Sequence, residues 1–101
     1  MHDLHDALFR VNPEKRRFEL ELENYIAFAE FITNNDNIVF VTHTEVPSEL
    51  EGKGVGSHLI SLVLNWIKEN GYTLAPLCPF TAAYVKRHPE CKEILAPGYH
   101  V

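Results

Sequence analysis

The chain has 101 residues, a net charge of −5, 46% hydrophobic and 23% charged residues, which is the make-up of one globular domain (residues 1–101) with a single core. The acidic balance argues against a nucleic-acid partner, which needs clustered lysine and arginine; the one basic run, Lys15-Arg16-Arg17, sits in a turn-like segment. No stretch approaches the ~18 apolar residues of a membrane span, and MHDLHDALFR lacks the basic and apolar regions of a secretion signal. Two cysteines without a Cys-x-x-Cys, Cys78 and Cys91, fit a cytoplasmic chain with reduced thiols.

A short strand is expected near residues 7–11. FELELE (Phe18–Glu23) alternates apolar and acidic residues, the period of a half-buried strand. A turn at Glu23-Asn24 leads into a second strand, YIAFAEFI (Tyr25–Ile32). TNNDN is a turn by composition, and IVFVTHTEV (Ile38–Val46) is a strand rich in β-branched residues. Simple alternation puts Ile38, Phe40, Thr42, Thr44 and Val46 on one face, and Val39, Val41, His43 and Glu45 on the other. A glycine loop (Glu51–Ser57) follows, then a helix over 55–70 whose apolar stripe is Val55, Leu59, Leu62, Val63, Trp66 and Ile67, widened by Ile60 and Leu64. Tyr72–Pro76 is a short strand, Phe80–His88 a second helix opened by Pro79, and Pro97-Gly98 a loose tail. Strand, loop, helix and strand over 38–76 make a βαβ unit inside a mixed, mostly antiparallel α+β sheet.

Gly52, Gly54 and Gly56 stand at the mouth of the first helix. A helix N-terminus presents about four unpaired N–H groups, and glycines let a phosphate approach them; a connector that needs unusual turn angles would look the same. The spacing fits neither the mononucleotide P-loop nor the dinucleotide fingerprint, whose third glycine would fall at Ser57.

The run Glu51–Gly56 resembles the coenzyme A signature of the GNAT superfamily of N-acetyltransferases, [QR]-x-x-G-x-[GA], with Gly54 and Gly56 matching and Glu51 replacing the usual Gln or Arg. THTEVP before the loop and PLCPFTAAYVKRHPE after it are similar to a short single-domain GNAT subfamily, so that the likeness covers about residues 18–90. The resemblance implies a GNAT-like fold without the usual N-terminal helices. It implies acetyl-CoA as cosubstrate, held by Thr44, Val46, Glu51, Gly52, Lys53, Gly54, Val55, Gly56 and Ser57, and acetyl transfer to an amine.

Four residues are candidates for the chemistry. Tyr84 matches the helix where GNAT enzymes carry a tyrosine that protonates the departing coenzyme thiolate; a core tyrosine is the plainer alternative. Cys78, after the short strand, is a candidate covalent acyl carrier or else a small buried hydrophobe. Glu45 and His43 are candidates to deprotonate an acceptor ammonium, or a paired surface couple. Cys91 is expected on an exposed turn. The six histidines, His2 and His5 among them, have no zinc-type spacing, so no metal is expected. An acyl-CoA-binding or sensing module with little catalysis is the alternative, because nearly continuous strand leaves no room for acceptor-site helices. A partner protein would then complete the site. A plain interaction domain, with the loop only a turn, is the third reading.

Overall fold

The computed structural model describes residues 4–101; His2 lies outside the described residues. Five strands form one sheet in chain order: β1 (Leu8–Asn12), β2 (Arg17–Leu22), β3 (Tyr25–Thr33), β4 (Ile38–Glu45) and β5 (Thr73–Pro76). The first four pair antiparallel and β5 joins β4 in parallel. The turns follow from the residues that make them. Glu23 and Asn24 both take positive φ (55° and 67°), as a tight hairpin between twisted strands requires. The Asn34 side chain accepts hydrogen bonds from the N–H groups of Asp36 and Ile38, and Asn37 takes φ 59° before β4 begins.

The simple alternation expected along β4 does not hold. Glu30 pairs with His43, but the next β3 residue, Phe31, pairs with Val41, so Thr42 is an extra residue with no partner in β3. Its hydroxyl donates to the Glu30 carbonyl. Such a bulge reverses the faces beyond it. Val41 lies opposite Phe31 and Thr44 opposite Ala29. Thr44 therefore shares the face of Val39 and Val41, and His43 and Glu45 turn to the other side beside Phe28.

Helix α1 (Val55–Glu69) is the crossover between β4 and β5, and α2 (Pro79–Arg87) follows β5. Val55, Leu59, Ile60, Val63, Leu64 and Ile67 of α1 are buried, in one core with Phe18, Leu20, Leu22, Ala27, Ala29, Val39 and Val41 of the sheet. At ~25 cal/mol per Å² each fully buried side chain of this size contributes ~1.5–3 kcal/mol, which holds α1 on the sheet. Trp66, at the edge of the stripe, packs edge-on against Phe18 at 5.2 Å. The opposite face of the sheet mixes apolar and charged side chains, with Arg17 over the Phe28 ring at 4.3 Å. There Glu19 is only 2% exposed and accepts hydrogen bonds from Arg10, Asn12 and Arg17. The C-terminal segment is less loose than its Pro-Gly suggests: Ala96 N–H donates to the Leu74 carbonyl, which ties it to the free edge of β5.

Candidate functional site

Two of the three loop glycines are fixed by backbone angle and the third by contact. Gly52 and Gly54 have φ +78° and +73°, and a Cβ on either would meet nothing. Gly54 is the N-cap of α1, in a left-handed conformation, with no side chain capping the helix and no acidic residue in its first turn. The first-turn N–H groups are thus left to an outside acceptor. Gly56 is helical, and a Cβ there would stand 2.8 Å from Phe80 Cζ and 3.3 Å from Val46 Cγ2. Its bareness seats Phe80 on the helix.

Around these glycines lies an open hollow of about 280 Å³, lined by Val46, Leu50, Glu51, Gly52, Gly54, Val55, Gly56, Ser57 and Phe80. Of the residues expected to hold the coenzyme, all but Thr44 and Lys53 line it. Lys53 instead pairs with Glu23 at 3.0 Å, and Glu51 places a carboxylate in the hollow. Uncapped N–H groups, open glycine backbone and an apolar wall of Val46, Leu50 and Phe80 fit a diphosphate with a thin apolar arm.

Cys78 lies beyond Phe80. The parallel ladder ends at Val41–Pro76, and Cys78 N–H closes it by donating to the Val41 carbonyl at 2.9 Å. Among the described residues, β4 continues to Glu45 with no β5 partner, so the two strands part here. Cys78 is the N-cap of α2, with Pro79 at the first helical position. Its Sγ is 3.4 Å from Thr44 Oγ1. Burial pushes the thiol up, but the Thr44 hydroxyl, the N–H groups of Thr81 and Phe80 and the Thr81 hydroxyl together hold it below the ordinary cysteine value. That is the setting of a reactive rather than an inert buried cysteine. Thr44, expected among the residues that hold the coenzyme, here meets Cys78 through its side chain. Phe80 joins the two parts: its ring lies on Gly56, and its N–H favours ionisation of Cys78, although the Cys78 side chain makes no capping hydrogen bond.

The remaining candidates are not gathered at this point. His43 and Glu45 lie 3.7 Å apart on the opposite face, both more than half exposed. Glu45 lines a smaller hollow of about 220 Å³ with Ile26, Phe28, Val46 and Pro47, and Val46 is common to this and the glycine hollow. Tyr84 is buried, stacks on His88 at 4.2 Å, and lines a third hollow with Cys91, Lys68 and Glu93. This hollow shares no lining residue with the glycine hollow. Burial, then the nearby Cys91 and Glu90, raise the Tyr84 phenol, against a smaller pull from Arg87. Cys91 is partly buried there rather than free on a turn, and burial raises its thiol. Among the described residues no group of three or more His, Cys, Asp or Glu is placed to hold a metal, and no helix is long and apolar enough to cross a membrane.

Phe80 and Thr81 were not singled out by sequence, although a signal for their place existed. Pro79 at a helix start marks Cys78 as the N-cap, and an N-cap atom faces the N–H groups two and three residues on, which are those of Phe80 and Thr81.

A mostly antiparallel sheet whose strands part beside an uncapped glycine-led helix is a fold of the GCN5-like type. Residues 17–94 match the family model for GCN5-related N-acetyl-transferase, and the chain belongs to that family. It is 35% identical over 86 residues to human Protein NATD1, covering 79% of this chain and 74% of that one. The mouse Protein NATD1 is 28% identical over 80 residues, with 75% and 71% covered. A GCN5-like protein from Staphylococcus aureus, solved by NMR, superposes with a TM-score of 0.69 at 22% identity over 99% of this chain and 95% of that one, a likeness of fold.

Proposed function

We propose that the protein transfers an acetyl group from acetyl-CoA to an amine, with Cys78 as the residue that meets the thioester. One observation carries this reading: a thiol whose ionisation the fold eases, 3.4 Å from Thr44 Oγ1, is joined through Phe80 to the glycine hollow. The α1 N-terminus would take the coenzyme pyrophosphate, and the parting of β4 from β5 would admit its pantetheine arm. The Cys78 thiolate attacks the thioester carbonyl carbon. A bond forms at Cys78 Sγ, the bond to the coenzyme sulfur breaks, and that sulfur leaves as a thiolate that takes up a proton. The open hollow lets solvent supply that proton; Tyr84, whose raised phenol stays protonated, lines a separate hollow. A neutral amine then attacks the acetyl carbon on Cys78: the C–N bond forms, the bond to Cys78 Sγ breaks, and the proton lost from the amine nitrogen passes to the departing thiolate or to solvent.

One feature favours the alternative of a binding or sensing module. β1 to β3 run as a meander with short turns, so no helix between the first strands walls an acceptor pocket. The test is intact-mass spectrometry after incubation with acetyl-CoA, beside a binding titration, on wild type and Cys78→Ala. An acetyl adduct lost in Cys78→Ala supports the two-step transfer. Binding without an adduct supports direct transfer or sensing, and a panel of amines then separates those two. Absence of binding removes the coenzyme reading.

A further inference from the structure

Thr81 is a polar side chain the reaction above does not use. It is fully buried, and its Oγ1 has no hydrogen-bond partner. A buried hydroxyl without a partner is destabilising, and few survive in a folded protein without a reason. Valine would fill nearly the same volume at no such cost. Thr81 is the third helical residue of α2, and in that position its side chain and its N–H stand together over the N-cap, which is Cys78. With Cys78 as a neutral thiol, the sulfur's proton is directed at Thr44 Oγ1, 3.4 Å away, and the sulfur is too weak an acceptor to draw in the Thr81 hydroxyl, which makes no bond to it. With Cys78 as a thiolate, the sulfur becomes an acceptor for several donors at once. A small turn of the Thr81 side chain would then give its hydroxyl a partner, beside the N–H groups of Phe80 and Thr81 and the Thr44 hydroxyl, all of which favour the ionised sulfur.

We propose that Thr81 is a positioning residue for Cys78: its hydroxyl is kept unpaired in the resting protein so that it can donate to the sulfur when the thiol ionises. The helix end alone would not establish such a site. The orphaned hydroxyl is the independent observation: it is fully buried, it has no partner of its own, and it is carried three residues on from the N-cap cysteine. The hydroxyl that stabilises the thiolate is carried by α2 itself and needs no histidine; His43 lies on the other face of the sheet.

The inference takes Cys78 as the reacting group of the proposed function, but its test needs no acyl donor. In a Cys91→Ser background a single thiol titrates. Its ionisation is followed by the ultraviolet absorbance of the thiolate and by the rate of iodoacetamide alkylation against pH. Wild type should titrate below an ordinary cysteine. Thr81→Val should move the midpoint up by about one pH unit, the size of a lost hydrogen bond to a charged group. Thr81→Ser, which keeps the hydroxyl, should restore most of that shift. Thr81→Val should meanwhile melt at the same temperature as wild type or a few degrees higher, since it removes an unpaired buried group. A residue needed only for packing would lower the melting temperature and leave the midpoint in place. A Thr81→Val midpoint equal to that of wild type overturns the proposal, as does a wild-type midpoint at or above the ordinary value. Equal shifts in Thr81→Ser and Thr81→Val also overturn it. Failure of acetyl-CoA to label Cys78, with these midpoints shifting as expected, would remove the acetyl-transfer reading and leave the role of Thr81 intact.

Discussion

Gly56→Ala separates what the third glycine does from what the first two do. A Cβ at Gly56 would come within 2.8 Å of Phe80 Cζ and 3.3 Å of Val46 Cγ2, so the Phe80 ring must move. Phe80 is 40% exposed and can swing outward, at a cost of about 0.5–1.5 kcal/mol for a strained rotamer. Alanine in a helix returns about 0.5–1 kcal/mol over glycine. The two nearly cancel, so the melting temperature should stay within about 4 °C of wild type. Coenzyme binding should not survive so easily, because the displaced ring is a wall of the hollow. A loss of affinity of about tenfold or more is expected, read by titration with coenzyme A. Gly54→Ala is the control. Its Cβ meets nothing, but its φ of +73° costs alanine ~1–2 kcal/mol, so it should lower the melting temperature by roughly 4–8 °C for each kcal/mol. If Gly56→Ala bound coenzyme as wild type does, the hollow would not be the coenzyme site. If it fell in stability as far as Gly54→Ala, Phe80 would be a fixed part of the core rather than a movable wall.

Glu51→Gln should tighten coenzyme A binding about three- to tenfold, because it replaces a carboxylate in the glycine hollow by a side chain that can donate; weaker binding in a titration would refute the placement. Thr44→Val should raise the midpoint of Cys78 ionisation and slow its alkylation at neutral pH, since Thr44 Oγ1 is the side-chain partner of the sulfur at 3.4 Å. Burial pushes the Glu19 carboxyl up, but hydrogen bonds from Arg17, Arg10 and Asn12 outweigh it and hold the group below the ordinary carboxylate value. Its contribution to stability is therefore present above the unfolded-state value and lost as pH falls through the lower folded value. Glu19→Gln should melt earlier than wild type at neutral pH, by about 1–2 kcal/mol in urea titrations, with the gap closing in acid; a gap that stays constant with pH would refute the argument.

The parts of this protein set by nearest neighbours in the chain were legible before any coordinates. The Glu23-Asn24 hairpin, the five strands, the helix from Val55 and the start of α2 at Pro79 all fall within a residue or two of expectation, because turn chemistry and apolar period decide them locally. So was the ring of glycine-loop residues about the hollow, since they are consecutive. The faces of β4 were not. Period-2 alternation is a strong rule only while every residue has a partner, and one unpaired residue, Thr42, reverses it for everything downstream. That single residue turns Thr44 toward Cys78, 34 positions away, and sends His43 and Glu45 across the sheet. Without the bulge, a histidine and a carboxylate would share the face of the thiol. With it, a hydroxyl does, and the groups that favour the thiolate are Thr44, Thr81 and two backbone N–H groups rather than an imidazole. A thiolate held by fixed neutral donors does not depend on the protonation of a partner base. Once ionised, Cys78 should therefore keep its reactivity across the range in which a histidine titrates, and its alkylation profile should show one ionisation rather than two.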